Sequence, residues 1–132
     1  MKEIYKYIIK GEPIALLRPR MNSEQRRVYD SQRSLKQLVG IGLRSQHDDR
    51  PLLSGPLHLN ITFYMTVPPH SKRKTLHHCF KPDLDNLIKW ICDISNGNLF
   101  VDDAGVSRIT ALKVYDDNPR TEFTLDRIVD VL

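Results

Sequence analysis

Within 21 residues, Asp83 to Asp103, the chain carries Asp83-Leu84-Asp85-Asn86, then Lys89, then the acidic pair Asp102-Asp103. Carboxylates that meet in space bind hard divalent cations, which take oxygen ligands, and a lysine beside them can hold a phosphate. The chemistry this combination suggests is metal-assisted cleavage of a phosphodiester. Like-charged aspartates are costly to bring together without a cation, so a metal gives the cluster a reason to exist.

Each piece has a plainer use when taken alone. Asp83 could be a helix N-cap accepting the Asn86 amide. Asp85, Lys89 and Asp93 recur every four residues, as in a surface ladder of ion pairs worth a few tenths of a kcal/mol each. Pro82 favours the metal reading, because it holds the chain out of helix just before Asp83 and lets Asp83 and Asp85 bend toward one ion. Zinc is a weak competitor. Adjacent His77-His78-Cys79 cannot easily wrap a tetrahedral ion with Cys92, and no Cys-x-x-Cys pair is present. His78 could reach a phosphate or a base, although an isolated histidine is more often a loop or sheet-edge residue.

The elements that must position these groups can be read from periodicity. Leu57, Leu59, Ile61, Phe63, Met65 and Val67 alternate with polar residues and predict a half-buried strand. Leu87, Ile88, Ile91, Cys92 and Ile94 predict a helix from Leu84 to Asn96, with Gly97 as its stop. Glu3–Lys10 and Ile14–Arg18 read as two short strands around Gly11-Glu12-Pro13. Ser23 reads as the start of a basic helix with Val28, Leu35, Leu38, Val39 and Leu43 as its apolar stripe. A short strand is expected near Thr75–Phe80. Two closing strands, Val106–Tyr115 and Thr121–Val131, flank the turn Asp116-Asp117-Asn118-Pro119. The sum is an α+β domain, order roughly β(β)-α-β-β-α-β-β, with two main helices on a mostly antiparallel, mixed sheet.

At 132 residues the chain suits one domain, 1–132. No run is apolar enough for a membrane span or a signal peptide, and two cysteines fit a reducing compartment, so the expectation is a soluble, cytoplasmic protein. Charge is unevenly spread: residues 1–80 hold 14 Lys+Arg against 6 Asp+Glu, and residues 81–132 hold 6 against 10. A basic half beside an acidic cluster suits an enzyme that draws in a nucleic-acid backbone with one surface and coordinates it through metal with another. Arg18, Arg20, Arg26, Arg27, Lys72, Arg73 and Lys74 are the candidate backbone-binding set, contributing salt-dependent affinity rather than base reading.

The block Lys81-Pro82-Asp83-Leu84-Asp85-Asn86-Leu87-Ile88-Lys89, followed by Asp93 and Leu99-Phe100-Val101-Asp102-Asp103, resembles the RusA family of Holliday-junction resolvases. Gly11-Glu12-Pro13-Ile14 with Arg18-Pro19-Arg20, and Lys113-Val114-Tyr115 with Pro119-Arg120, extend the resemblance over nearly the whole chain. It implies that Asp83, Asp85 and Asp103 hold metal, that Lys89 is the essential basic residue, and that Asp102 is a lesser candidate. It also implies a homodimer that nicks four-way DNA junctions at symmetric positions with Mg²⁺ or Mn²⁺. Gly105 stands where many relatives carry glutamine. Two rivals fit the same residues: a metal-dependent nuclease for other branched or flap substrates, and a non-cleaving branched-DNA binding protein. Acidic residues near DNA argue against the second, since binding alone favours fewer of them.

Overall fold

The computed structural model describes residues 3–22, 27–69 and 75–129. In chain order it contains β1 (Ile4–Lys10), β2 (Arg20–Asn22), β3 (Arg27–Tyr29), α1 (Arg33–His47), β4 (Leu57–Thr66), α2 (Leu84–Ser95), a single 3₁₀ turn (Asp103–Gly105), β5 (Val106–Asp116) and β6 (Arg120–Arg127). The architecture is α+β, with a four-stranded sheet ordered β1-β6-β4-β5 and a separate β2–β3 hairpin. β4 runs antiparallel to β6 and parallel to β5, so the sheet is mixed.

The alternation of β4 explains its central place. Leu57, Leu59, Ile61, Phe63 and Met65 are each 1% exposed or less and all face the helices. α2 answers with Leu87, Trp90, Ile91 and Ile94, while β1 and β6 add Tyr7, Phe123 and Leu125. Each such aliphatic side chain taken from water stabilises the fold by roughly 1.5–3 kcal/mol. β4 and β5, being parallel, cannot be joined by a tight turn. The chain between them makes a long crossover that contains α2 and every proposed metal-binding carboxylate.

Three expected elements differ from what the fold shows. Ile14–Arg18 is not a strand; the Leu16 N–H donates to the Asn86 carbonyl at 2.9 Å, which ties this segment to the first turn of α2. The basic helix starts at Arg33 rather than Ser23, and Val28 lies in β3; Ser23–Arg26 lie outside the described residues. The start is set by side-chain hydrogen bonds. Asp30 accepts the Gln32 N–H, and the Gln32 amide bonds the backbone of Ala15 and Leu17. The inward face of α1 is Gly40, Leu43 and His47, whereas Leu35 and Leu38 of the expected stripe are exposed. The strand expected near Thr75–Phe80 is reduced to one bridge between His77 and Val114.

Candidate functional site

Asp83 occupies the N-cap of α2 with extended backbone (φ −68, ψ 143), yet its side chain makes no capping bond. Its carboxylate instead accepts two hydrogen bonds from Lys81 Nζ, at 2.9 and 3.0 Å. The ordinary use of an aspartate here is thus declined, and the carboxylate is held by Lys81 instead. Just upstream, Lys113 of β5 donates to the carbonyls of Phe80 and Pro82, both at 2.8 Å.

One turn into α2, Asp85 lies 3.9 Å from Lys89, and both are largely exposed. Asp93 completes the stripe but is engaged from α1, where Lys36 Nζ donates to it at 3.1 Å while also holding Asp30. Burial opposes the Lys36 charge, but the hydrogen bonds to Asp30 and Asp93 outweigh it and hold the amine above its ordinary value.

At the far end of α2, Gly97 takes a positive φ of 76° and ends the helix. The chain then turns back under backbone control. Leu53 N–H bonds the Leu99 carbonyl and the Leu53 carbonyl accepts from Val101, each at 2.9 Å. The Asp103 N–H donates to Asn96 Oδ1 at 2.8 Å. Gly105 packs directly on Gly55: a Cβ on Gly55 would stand 2.3 Å from the Gly105 carbonyl oxygen. Glycine at 55 therefore has a packing reason beside the start of β4 and β5, and a Cβ on Gly105 would itself come within 3.1 Å of the Gly55 nitrogen.

Asp103 feels this confinement. Burial, then a hydrogen bond and charge repulsion from Asp102, then the Asp93 charge, raise its carboxyl above the usual value. It lines a hollow of about 420 Å³ with Leu16, Ile88, Lys89, Asp93 and Ile109. A neighbouring hollow brings together Arg18, Asp85, Asn86 and Lys89. Lys89, with Leu16, thus forms the shared wall between the Asp85 side and the Asp103 side. Another hollow, on the sheet face away from the helices, places Lys6 and Glu122 among Asn60 and Thr62 and holds no acidic cluster.

Of the residues singled out by sequence, Asp85, Lys89, Asp103 and Arg18 line two adjoining hollows, and Asp83 stands at the start of the same helix, turned to Lys81. Among the described residues, no three His, Cys, Asp or Glu side chains form a group able to hold a metal. The donor chemistry nonetheless suits a hard cation. Every candidate is a carboxylate, and Asp103 carries a charge its surroundings disfavour, which a divalent ion would relieve. Zinc is a poor match, since burial, with Asp103 and Asp93 adding to it, pushes the Cys92 thiol up to about 11. Arg26, Lys72, Arg73 and Lys74 lie outside the described residues, as do the side chains of Arg20 and Arg27.

Sequence reasoning assigned no role to Asn96, Gly55, Lys81 or Lys113. A lysine in the inward-facing series Ile109, Ala111, Lys113, Tyr115 was the one available signal. The family model for endodeoxyribonuclease RusA matches residues 10–126. The chain belongs to the RusA family. It is also similar to the uncharacterized protein YqaN of Bacillus subtilis (strain 168), at 30% identity over 137 aligned residues that cover 93% of this chain and 96% of the relative. RusA family resolvases are metal-dependent nucleases that act on junction DNA. No helix among the described residues is long and apolar enough to cross a membrane.

Proposed function

We propose that this RusA family chain is a Mg²⁺-dependent crossover junction endodeoxyribonuclease, able to use Mn²⁺, that acts in the cytoplasm in DNA recombination and repair. As a homodimer it nicks symmetrically related strands of a four-way junction, one active site per subunit, matching the twofold of the substrate. The observation that carries this reading is Lys89 standing between Asp85 and the disfavoured carboxylate of Asp103.

Asp83, Asp85 and Asp103 would hold the metal, with Asp102 in support. Bound there, it supplies Lewis-acid polarisation of the phosphate and a water of lowered pKa. Lys89 Nζ places a positive charge where the scissile phosphate gains negative charge, which lowers the barrier more than it strengthens ground-state binding. Arg18, beside Asp85 and Lys89, anchors a neighbouring backbone phosphate. Burial, and then the neighbouring Asp102, disfavour the charge on Asp103, and a bound cation would relieve that cost. Arg20, Arg26, Arg27, Lys72, Arg73 and Lys74 extend the electrostatic footprint over the junction arms.

The test is a labelled four-way junction and a matched linear duplex, each incubated with Mg²⁺ or chelator. Paired nicks in the junction alone, lost in Asp85→Asn while junction binding persists, are the expected result. Equal cutting of linear duplex would shift the reading to a general metal-dependent nuclease. Tight junction binding without cleavage under any divalent metal would overturn the enzymatic reading.

A further inference from the structure

We infer that Lys113 is a positioning residue for the metal site: its ammonium fastens the segment that delivers Asp83, and thereby sets how well the carboxylates can share a cation. This rests on the metal-dependent reading above. Lys113 sits on β5, on the sheet face toward the helices, where Ala111 and Tyr115 on either side pack against or within the core. A charged residue in that series needs partners, and it has two. Nζ donates to the carbonyls of Phe80 and Pro82 at 2.8 Å each. Both carbonyls lie within three residues of Asp83.

The backbone of Lys113 works on the same segment. Its carbonyl accepts the His78 N–H at 3.1 Å, and the Tyr115 N–H donates to Leu76 at 3.0 Å. The His78 ring packs at a tilt against Tyr115, with ring centroids 5.0 Å apart, and its Nδ1 is enclosed without a partner among the described residues. Residues 76–82 are therefore tied to β5 by a short bridge and then by one side chain, and beyond the Pro82 carbonyl the chain turns directly into Asp83 and α2. The side chain of Asp83 makes no capping bond that would fix it locally. Its only recorded side-chain partner among the described residues is the 85% exposed Lys81. The Lys113 clamp is the buried-side constraint on where that carboxylate emerges.

Outer groups that orient metal-binding carboxylates typically contribute about 10–100-fold to metal affinity or activity when removed. Lys113→Met keeps the length and loses the donors; Lys113→Arg keeps two donors. The experiment measures Mn²⁺ affinity of the DNA-free protein by calorimetry, junction affinity in chelator, single-turnover cleavage across a metal titration, and the melting temperature. Lys113→Met is expected to weaken Mn²⁺ binding by about tenfold or more, to lose cleavage that partly returns at raised metal, and to bind junction in chelator as the parent does. Lys113→Arg is expected to restore most of the metal affinity.

Parent-like Mn²⁺ affinity in a folded Lys113→Met protein overturns the inference. So does a defect that Lys113→Arg fails to rescue, or one that higher metal does not relieve. Asp83→Asn separates the two readings. If Asp83→Asn loses Mn²⁺ binding while Lys113→Met keeps it, only the positioning role fails. If the parent protein binds no Mn²⁺, the metal reading fails and takes this one with it. If Lys113→Met does not fold, Lys113→Leu, which also removes the donors, takes its place under the same criteria.

Discussion

The two ends of α2 carry the proposed ligands, and they are built differently. At the C-terminal end, backbone does the positioning: Leu53 bridges Leu99 and Val101, Gly55 abuts Gly105, and Asn96 receives the Asp103 amide. At the N-terminal end lysine side chains do it, with Lys113 on two carbonyls and Lys81 on the Asp83 carboxylate. The contrast is between a fixed wall and an adjustable one. A fold can hold one half of an anionic site rigidly and leave the other to be drawn in by cation and phosphate, which avoids crowding all the carboxylates when the site is empty of positive charge.

Removing a ligand from either wall should be the largest effect. Asp85→Asn and Asp103→Asn are each expected to lower junction cleavage by about a thousandfold or more, a loss of several kcal/mol of transition-state stabilisation. Junction affinity in chelator should hold or rise, as a gel-shift titration will show.

Next comes the fixed wall itself. Gly55→Val forces a side chain into the Gly105 backbone, and overpacking of this kind destabilises by roughly 1–3 kcal/mol. Urea denaturation should show that loss, and cleavage should fall further than stability alone explains, because the turn carrying Asp103 must move.

Asn96→Ala sharpens the comparison. It removes the acceptor for the Asp103 N–H, for which about 1 kcal/mol is expected, together with about a tenfold weakening of metal binding. On the adjustable wall, Lys81 alone should respond with the opposite sign. Lys81 is 85% exposed and Asp83 50%, so their ion pair is weak; Lys81→Ala frees Asp83 and should tighten Mn²⁺ binding by about two- to fivefold, while slightly weakening junction binding.

The smallest effect is one of pH. Because the folded protein raises the Asp103 carboxyl, ionising it costs the folded state more than the unfolded chain. The penalty is absent below the ordinary carboxylate value near 4 and grows as pH rises through the raised one. In chelator, Asp103→Asn should therefore melt above the parent at pH 7, with the gap closing by about pH 4. Added Mg²⁺ should stabilise the parent and leave the variant unmoved. A parent that melts higher than Asp103→Asn in chelator at pH 7 would show that Asp103 is not under electrostatic strain.

Regular burial made part of this molecule readable in advance. The alternation in β4 and the spacing in α2 were legible because each element shows one face to a single core. α1 was not, because its exposed Leu35 and Leu38 imitate a buried stripe, and because its start depends on Asp30 holding the Gln32 N–H and on the Gln32 side chain bonding the distant backbone of Ala15 and Leu17 rather than on a capping box. The strand expected at Thr75–Phe80 shrank to a bridge: two backbone bonds join it to the edge strand, and beyond them the Lys113 side chain takes over at Phe80, which periodicity does not record. Within the site, the residue types were visible in the Asp-Leu-Asp-Asn motif, but their supports were not. Gly55 and Lys113 lie far from the motif in sequence and meet it only through the pairing of β4 with β5.

That parallel pairing has a consequence for how the family can diversify. Two strands running the same way must be joined by a long excursion, and here the excursion carries every proposed ligand, while β1 and β6 lie at the far side of the sheet. Changes of length between Val67 and Gly105 should alter which branched substrates a relative accepts. Drift in the β1 and β6 pair should alter only how robustly the scaffold persists, so the two portions of the gene are free to evolve at different tempos.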